Sequence, residues 1–167
     1  GPFLIIAPLS TLGHWKREFE AWTGLNTLLY HGSAKDRDVM RDYEMFCTDK
    51  SGKKVRIMDE HDAAAQRRML EGNVGAIEDS KETKETKKTP KSRKKHFKLK
   101  FQVLITTPEM CISSHETGGR LLASIPWQLM VVDEAQRLKN SKAKLSTTLR
   151  TTFAFDDCLL LTGTPIQ

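Results

Sequence analysis

A chain of 167 residues is long enough for one domain with a buried core and too short for two. Apolar residues make up 38% of it and charged residues 29%, which is typical of a globular domain that carries a polar segment. No apolar run approaches the length of a membrane span, so we expect no membrane partner. The three cysteines lack CxxC spacing and indicate neither a zinc site nor a disulfide framework, which favours an intracellular protein.

The positive charge is concentrated in one segment. The whole chain has a net charge of +6, but residues 81–100 contain ten Lys or Arg and only two acidic residues, a net of +8. The rest of the chain therefore carries −2. For this reason the high isoelectric point is not by itself evidence for a nucleic-acid-binding face.

A strand followed by a helix is predicted at the beginning of the chain. FLIIAP at 3–8 reads as a strand ended by its proline, and Ser10 or Thr11 can cap a helix that extends to about Trp22. Trp15 and Trp22 could stack on bases, but their helical spacing favours packing in the core.

The same alternation is predicted once more before it is interrupted. NTLLYHG at 26–32 predicts a second strand, and a helix is expected over about 34–46. The apolar side of that helix would consist of Val39, Met40, Tyr43 and Phe46.

Residues 47–100 break this rhythm. A helix is plausible at 59–72, whereas the polar composition of about 73–98 predicts a disordered or mobile insertion. Three interpretations of the basic tract at 81–100 stay open: a solvated insertion, a nuclear-localisation signal around KSRKK at 91–95, or an arm that contacts phosphates.

Three further strands are predicted in the last part of the chain. They are FQVLITT at 101–107, WQLMVVDE at 127–134 and CLLLTGT at 158–164, with helices beginning at Pro108 and spanning about 141–152. Strands this apolar are typical of a parallel sheet that is buried on both faces. The alternation predicts an α/β doubly wound domain, in which ligands lie beyond the carboxyl ends of the strands.

Polar motifs lie at the carboxyl ends of four of these strands, and one of the motifs contains two adjacent carboxylates. Asp133 and Glu134 directly follow an apolar run, where two buried charges are costly unless something compensates them. In a nucleotide hydrolase the Asp orients the water shell of Mg²⁺ and the Glu polarises the attacking water. The alternative is that both residues leave the sheet and cap the next helix, and the pair alone does not distinguish the two.

Hydroxyl side chains mark the other strand ends. TGTP at 162–165 is either a turn with side-chain hydrogen bonds or a hydroxyl relay beside the strand that leads into DEAQ at 133–136. APLST at 7–11 and ITTPE at 105–109 could hold a phosphodiester backbone, or could simply cap helices.

Five motifs resemble, in order and interval, those of Swi/Snf-type ATPases in helicase superfamily 2: GPFLIIAPLSTLGHWKREFEAW, YHG, VLITTPEM, PWQLMVVDEAQRLKN and LLLTGTPIQ. The sequences of these motifs are most similar to those of the chromodomain-helicase-DNA-binding chromatin remodellers, and the likeness covers the chain except about 50–98. The resemblance implies that residues 1–167 are part of a RecA-like first motor lobe, with a mainly parallel sheet, helices on both faces and the phosphate-loop strand missing. It also implies use of ATP and Mg²⁺, action on duplex DNA and nucleosomes, and a nuclear location.

The resemblance further implies roles for individual residues. Asp133 would hold Mg²⁺ through water, and Glu134 and Gln136 would complete the catalytic set. The family usually has His at position 136; Gln can donate and accept hydrogen bonds there but cannot become cationic. Residues implied to couple hydrolysis to DNA movement are Thr162, Gly163 and Thr164. Residues implied to lie along the DNA backbone are Pro8, Ser10, Thr11, Thr106, Thr107 and Pro108.

The chain contains no GxxxxGK[ST] phosphate loop. We expect that loop upstream of residue 1 and the second RecA-like lobe beyond Gln167, so we predict that these 167 residues alone do not hydrolyse ATP. Two other functions stay open: a non-catalytic nucleic-acid-binding or scaffold module with a motor fold, and an RNA-directed helicase.

Overall fold

A computed structural model describes residues 1–55, 97–113, 119–138 and 144–163. Several expectations fall outside these ranges: the helix at 59–72, the insertion at 73–98 up to residue 96, the KSRKK segment at 91–95 and the coupling residue Thr164.

Five parallel strands form one sheet, in the order β2-β3-β1-β4-β5. The strands are β1 Phe3–Ile6, β2 Thr27–Tyr30, β3 Val103–Thr106, β4 Trp127–Val132 and β5 Phe155–Leu160. All five predicted strands are therefore confirmed, and the described residues of the four polar motifs lie at or directly after strand ends. β5 begins three residues earlier than predicted, because Phe155 pairs with Trp127 in the register of the sheet.

Helices cover both faces of the sheet, as predicted. They are α1 Leu12–Trp22, α2 Ala34–Val39, α3 Pro108–Ile112, α4 Gly119–Ala123 and α5 Lys144–Thr152. A π turn at Met40–Glu44 continues α2, and a 3-10 helix at Ala135–Leu138 follows β4. None of the helices in the described ranges is long and apolar enough to cross a membrane.

The alternation of side chains along each strand divides the core into two layers. On β1, Leu4 and Ile6 face the layer that contains α3, α4 and α5, whereas Ile5 faces the layer that contains α1. Both layers are apolar, which explains why the central strands read as continuous hydrophobic runs.

The predicted apolar side of the second helix is only partly right. Phe46 is buried and Met40 packs against the core, but Val39 and Tyr43 are exposed and Met45 is buried instead. The cause is the π turn, in which the N–H of Met45 donates to the carbonyl of Met40 at 3.0 Å. This wider turn rotates the following side chains away from the regular helical stripe.

The predicted core packing of Trp22 is also wrong. Trp22 is 83% exposed at the end of α1, and its indole N–H donates to Glu18 one turn earlier. Trp15 is half-buried and stacks on Phe19. Helical spacing places both tryptophans on one side of α1, but of the two only Trp15 packs against the core.

Strand β5 differs from the other four strands, and the expected burial on both faces is wrong for it. It lies at the edge of the sheet beside β4, and Cys158, Leu159 and Leu160 are exposed. Among the described residues no helix or strand covers its outer side.

Residues 45–55 and 97–100 are joined by main-chain hydrogen bonds. The N–H of Cys47 donates to the carbonyl of Lys98, and the N–H of Lys98 donates to the carbonyl of Val55, at 2.8 and 2.9 Å. Two residues of the predicted insertion, 97 and 98, therefore belong to the ordered body of the domain.

Candidate functional site

The turn after β4 is held in place by main-chain hydrogen bonds on both sides. The N–H of Asp133 donates to the carbonyl of Ile6 in β1 at 2.8 Å. On the other side, the N–H of Leu161 donates to the carbonyl of Val132 at 2.9 Å, and the N–H of Ala135 donates back to Leu161 at 2.8 Å. The two carboxylates therefore project from a turn fixed between β1 and the end of β5.

Glu134 has a left-handed backbone conformation, with φ of 53°. This conformation costs an L-residue with a Cβ about 1–2 kcal/mol. The main-chain N–H of Glu134 donates to the Oδ1 atom of Asp133 at 2.9 Å, which helps to hold the turn. Strained residues of this kind concentrate at functional sites. Sequence reasoning had no signal for it, because Glu is not a residue that favours positive φ.

A chain of side chains connects the carboxylates with the segment after β5. The Nε2 amide of Gln136 donates to the Oε2 atom of Glu134, and the hydroxyl of Thr162 donates to the Oε1 atom of Gln136 at 2.9 Å. An amide can serve both neighbours because it has a donor end and an acceptor end. The structure thus brings together four predicted site residues, Asp133, Glu134, Gln136 and Thr162, with Gly163 next to them.

Trp15 belongs to this site, although sequence reasoning assigned it to the core. Its indole N–H donates to the Oδ2 atom of Asp133 at 3.0 Å, across 118 positions of sequence. The only signal in the sequence was its helical spacing, which predicts the face of α1 but not the partner.

The donor set suits a magnesium ion that is held through water. Carboxylate oxygens are the ligands that Mg²⁺ prefers, and the ion usually keeps several of its waters. Each oxygen of Asp133 accepts one N–H, from Glu134 or from Trp15, and keeps capacity for another hydrogen bond. The arrangement therefore fits a carboxylate that accepts hydrogen bonds from metal-bound water.

The predicted DNA-contacting residues divide into two groups, of which the first lies at the surface. Ser10 is exposed, and Pro8 and Thr11 are partly exposed. The hydroxyl of Thr11 donates to the carbonyl of Pro8 at 3.0 Å, so it does not cap α1 as predicted. The first turn of α1 thus begins without a side-chain cap.

The second group lies below the surface. Thr106 and Thr107 are 0% and 1% exposed, and Pro108 is buried. The hydroxyl of Thr106 donates to the carbonyl of Tyr30 at 2.8 Å, whereas the hydroxyl of Thr107 has no hydrogen-bond partner among the described residues. The structure therefore does not bring these three residues to the surface beside the first group.

Comparison with known proteins identifies the family. The model of the SNF2-related domain matches residues 1–167. The chain is 36% identical over 167 residues to chromodomain-helicase-DNA-binding protein 8 of Xenopus tropicalis, covering 100% of this chain and 6% of that protein. It is 35% identical over 167 residues to chromodomain-helicase-DNA-binding protein 9 of Mus musculus, covering 100% of this chain and 4% of that protein.

A solved structure shares the fold. The Sulfolobus solfataricus SWI2/SNF2 ATPase core in complex with dsDNA has a TM-score of 0.53 and 18% sequence identity, over 98% of this chain and 21% of that chain. This likeness confirms the predicted RecA-like α/β fold. The chain spans only a small part of the proteins that it resembles. The resemblance drawn from the five motifs is confirmed, and the chain belongs to the SNF2-related domain family.

Proposed function

We propose that this chain is part of the first lobe of a nuclear, ATP-dependent chromatin-remodelling motor that moves along duplex DNA. The observation that carries the proposal is the hydrogen-bonded series Glu134–Gln136–Thr162. It joins the carboxylate that follows β4 to the segment that follows β5. A scaffold that had lost turnover would have no need for a strained glutamate held in this series.

Each carboxylate has a distinct part in the proposed reaction. Asp133, whose two oxygens each accept one N–H, would hold a magnesium ion through its waters. Glu134 polarises the water that attacks the terminal phosphate and takes up its proton. When bound, Mg²⁺ would neutralise negative charge on the phosphates. Gln136 orients Glu134 and transmits its position to Thr162, and we propose that Gly163 and Thr164 continue this coupling segment.

The exposed group Pro8, Ser10 and Thr11 is the proposed DNA-backbone contact. These residues lie directly before α1, where hydroxyl and main-chain N–H groups can bind phosphates without reading bases. The buried residues Thr106, Thr107 and Pro108 are better suited to supporting this edge of the sheet than to touching DNA.

The exposed edge of β5 is the proposed place for a further strand, from the part of the longer protein that carries the phosphate loop. An uncovered row of main-chain N–H and C=O groups is a template for strand pairing. Cys158 tests this idea, because it is exposed on β5. It should react rapidly with a maleimide in the 167-residue chain and slowly in the longer protein, as mass spectrometry would show. Equal rates would contradict the pairing.

The substitution Glu134→Gln in the longer protein tests the catalytic proposal. We expect DNA-stimulated phosphate release to fall by about 10²- to 10⁴-fold, the usual loss when a general base is removed. Glu20→Gln is the matched control, because Glu20 makes only a surface ion pair with Lys16. Retained turnover in Glu134→Gln would leave the non-catalytic module as the better function. Stronger stimulation by RNA than by duplex DNA or nucleosomes would favour an RNA-directed helicase.

A further inference from the structure

We propose that Trp15 is a positioning residue that sets the orientation of the Asp133 carboxylate and ties it to the surface segment before α1. The proposal rests on the function proposed for Asp133 above. Its basis is the hydrogen bond of 3.0 Å from the indole N–H of Trp15 to the Oδ2 atom of Asp133.

The carboxylate of Asp133 is held by two donors, one on each oxygen. The main-chain N–H of Glu134 binds Oδ1 at 2.9 Å, and Trp15 binds Oδ2. A carboxylate with only one donor can rotate about its Cβ–Cγ bond, whereas two donors at opposite oxygens fix its plane. The remaining lone pairs then point in defined directions, which matters for a group that acts by orienting water.

The indole of Trp15 is itself held firmly. It stacks on Phe19, with ring centroids 6.1 Å apart and an angle of 27° between the planes. It also packs against the core layer that contains Ile5, Leu12 and Val131. The position of the N–H donor therefore follows the position of α1 on the sheet.

The same residue is one helical turn from the proposed DNA contact. The main-chain N–H of Trp15 donates to the carbonyl of Thr11 at 3.0 Å, and Thr11 is bonded in turn to Pro8. Two consecutive steps thus connect residues 8–11 with Asp133: a main-chain bond within α1, and the indole bond to the carboxylate. A shift of residues 8–11 on DNA would reach Asp133 through Trp15.

Two substitutions separate the hydrogen bond from the packing. Trp15→Phe keeps an aromatic ring in the layer and removes the donor. Trp15→His loses the larger ring but keeps an N–H group, because the Nε2 atom of histidine occupies the same place in the five-membered ring as the indole nitrogen. Trp22→Phe is the matched control, since Trp22 is exposed and donates only to Glu18.

The test uses the longer protein, measured well below the melting temperature of each variant. In Trp15→Phe we expect a fall in DNA-stimulated kcat of about tenfold or more, which is typical when a second-layer partner of a metal site is lost. The Mg²⁺ concentration for half-maximal activity should rise, and DNA affinity should be unchanged. Mn²⁺ binding in the presence of ADP, measured by electron paramagnetic resonance, should weaken in parallel. Trp15→His should recover most of both losses although it packs less well.

The outcomes separate this inference from the proposed function. If Trp15→Phe matches Trp22→Phe in metal binding and kcat while Glu134→Gln is inactive, Trp15 has no positioning role and the motor assignment stands. If losses in the Phe and His variants simply follow their melting temperatures, Trp15 acts only by packing. If Glu134→Gln retains full turnover, the proposed function itself is wrong.

Discussion

The carboxyl ends of β3 and β4 have similar sequences, in which an apolar run is followed at once by polar residues. The polar residues differ in burial between the two ends. After β4, Asp133, Glu134 and Gln136 reach the surface and are joined by hydrogen bonds: the main-chain N–H of Glu134 donates to Asp133, and the amide of Gln136 donates to Glu134. At the end of β3, Thr106 and the following Thr107 are buried beneath the surface. Polar residues at a strand end therefore belong either to a site or to the packing of the edge, and burial distinguishes the two.

The substitution Gln136→Met tests the hydrogen-bonded series at the β4 end. It removes both hydrogen bonds that join Glu134 to Thr162 without changing a charge. We expect DNA-stimulated ATPase activity of the longer protein to fall by about 10- to 100-fold. Gln128→Met, at the opposite and exposed end of β4, is the control and should behave as the unmodified protein. Equal activities of the two variants would show that the hydrogen bonds of Gln136 to Glu134 and Thr162 have no part in the reaction.

The substitution Glu134→Gly should separate stability from activity at the same strand end. Glycine adopts positive φ without the Cβ penalty, so the free energy of unfolding of the 167-residue chain in urea should rise by about 1 kcal/mol. ATPase activity of the longer protein should be lost. Glu18→Gly within α1 should instead lower stability by about 1 kcal/mol, because glycine is unfavourable inside a helix. A loss of stability in Glu134→Gly would contradict this expectation.

The same change at two adjacent residues should have opposite effects at the β3 end. Thr106→Val leaves the carbonyl of Tyr30 without its side-chain donor and should lower the free energy of unfolding by about 1 kcal/mol. Thr107→Val removes a buried hydroxyl that has no partner among the described residues, and should raise it by about 0.5–1 kcal/mol. Urea unfolding of both variants measures the difference. A lower free energy of unfolding in both variants would mean that Thr107 is hydrogen-bonded in solution.

Much of the fold could be predicted from sequence because a strand that is buried on both faces is a continuous run of apolar residues. The strands β1, β3 and β4 are such runs. The assignment failed where the geometry is not regular: the π turn after Val39 redirected the following side chains, and β5 is apolar at its end although it is exposed.

The site was predictable in its residue types but not in its connections. Asp133, Glu134 and Thr162 follow their strands immediately, and parallel topology brings such ends to one edge. The bond from Trp15 depends on where α1 lies against β4, 118 positions away in sequence, and no local pattern encodes that distance. The burial of Thr106 and Thr107 likewise depends on neighbouring strands and helices rather than on the two residues themselves.

The hydrogen bonds between Cys47, Val55 and Lys98 have a consequence for how such a domain can change its length. They hold Cys47, Val55 and Lys98 side by side. The entropy of closing a loop grows slowly with its length, by about 0.6 kcal/mol for each doubling. Because Val55 and Lys98 are bonded to each other, a change in the number of residues between them need not alter the register of the sheet.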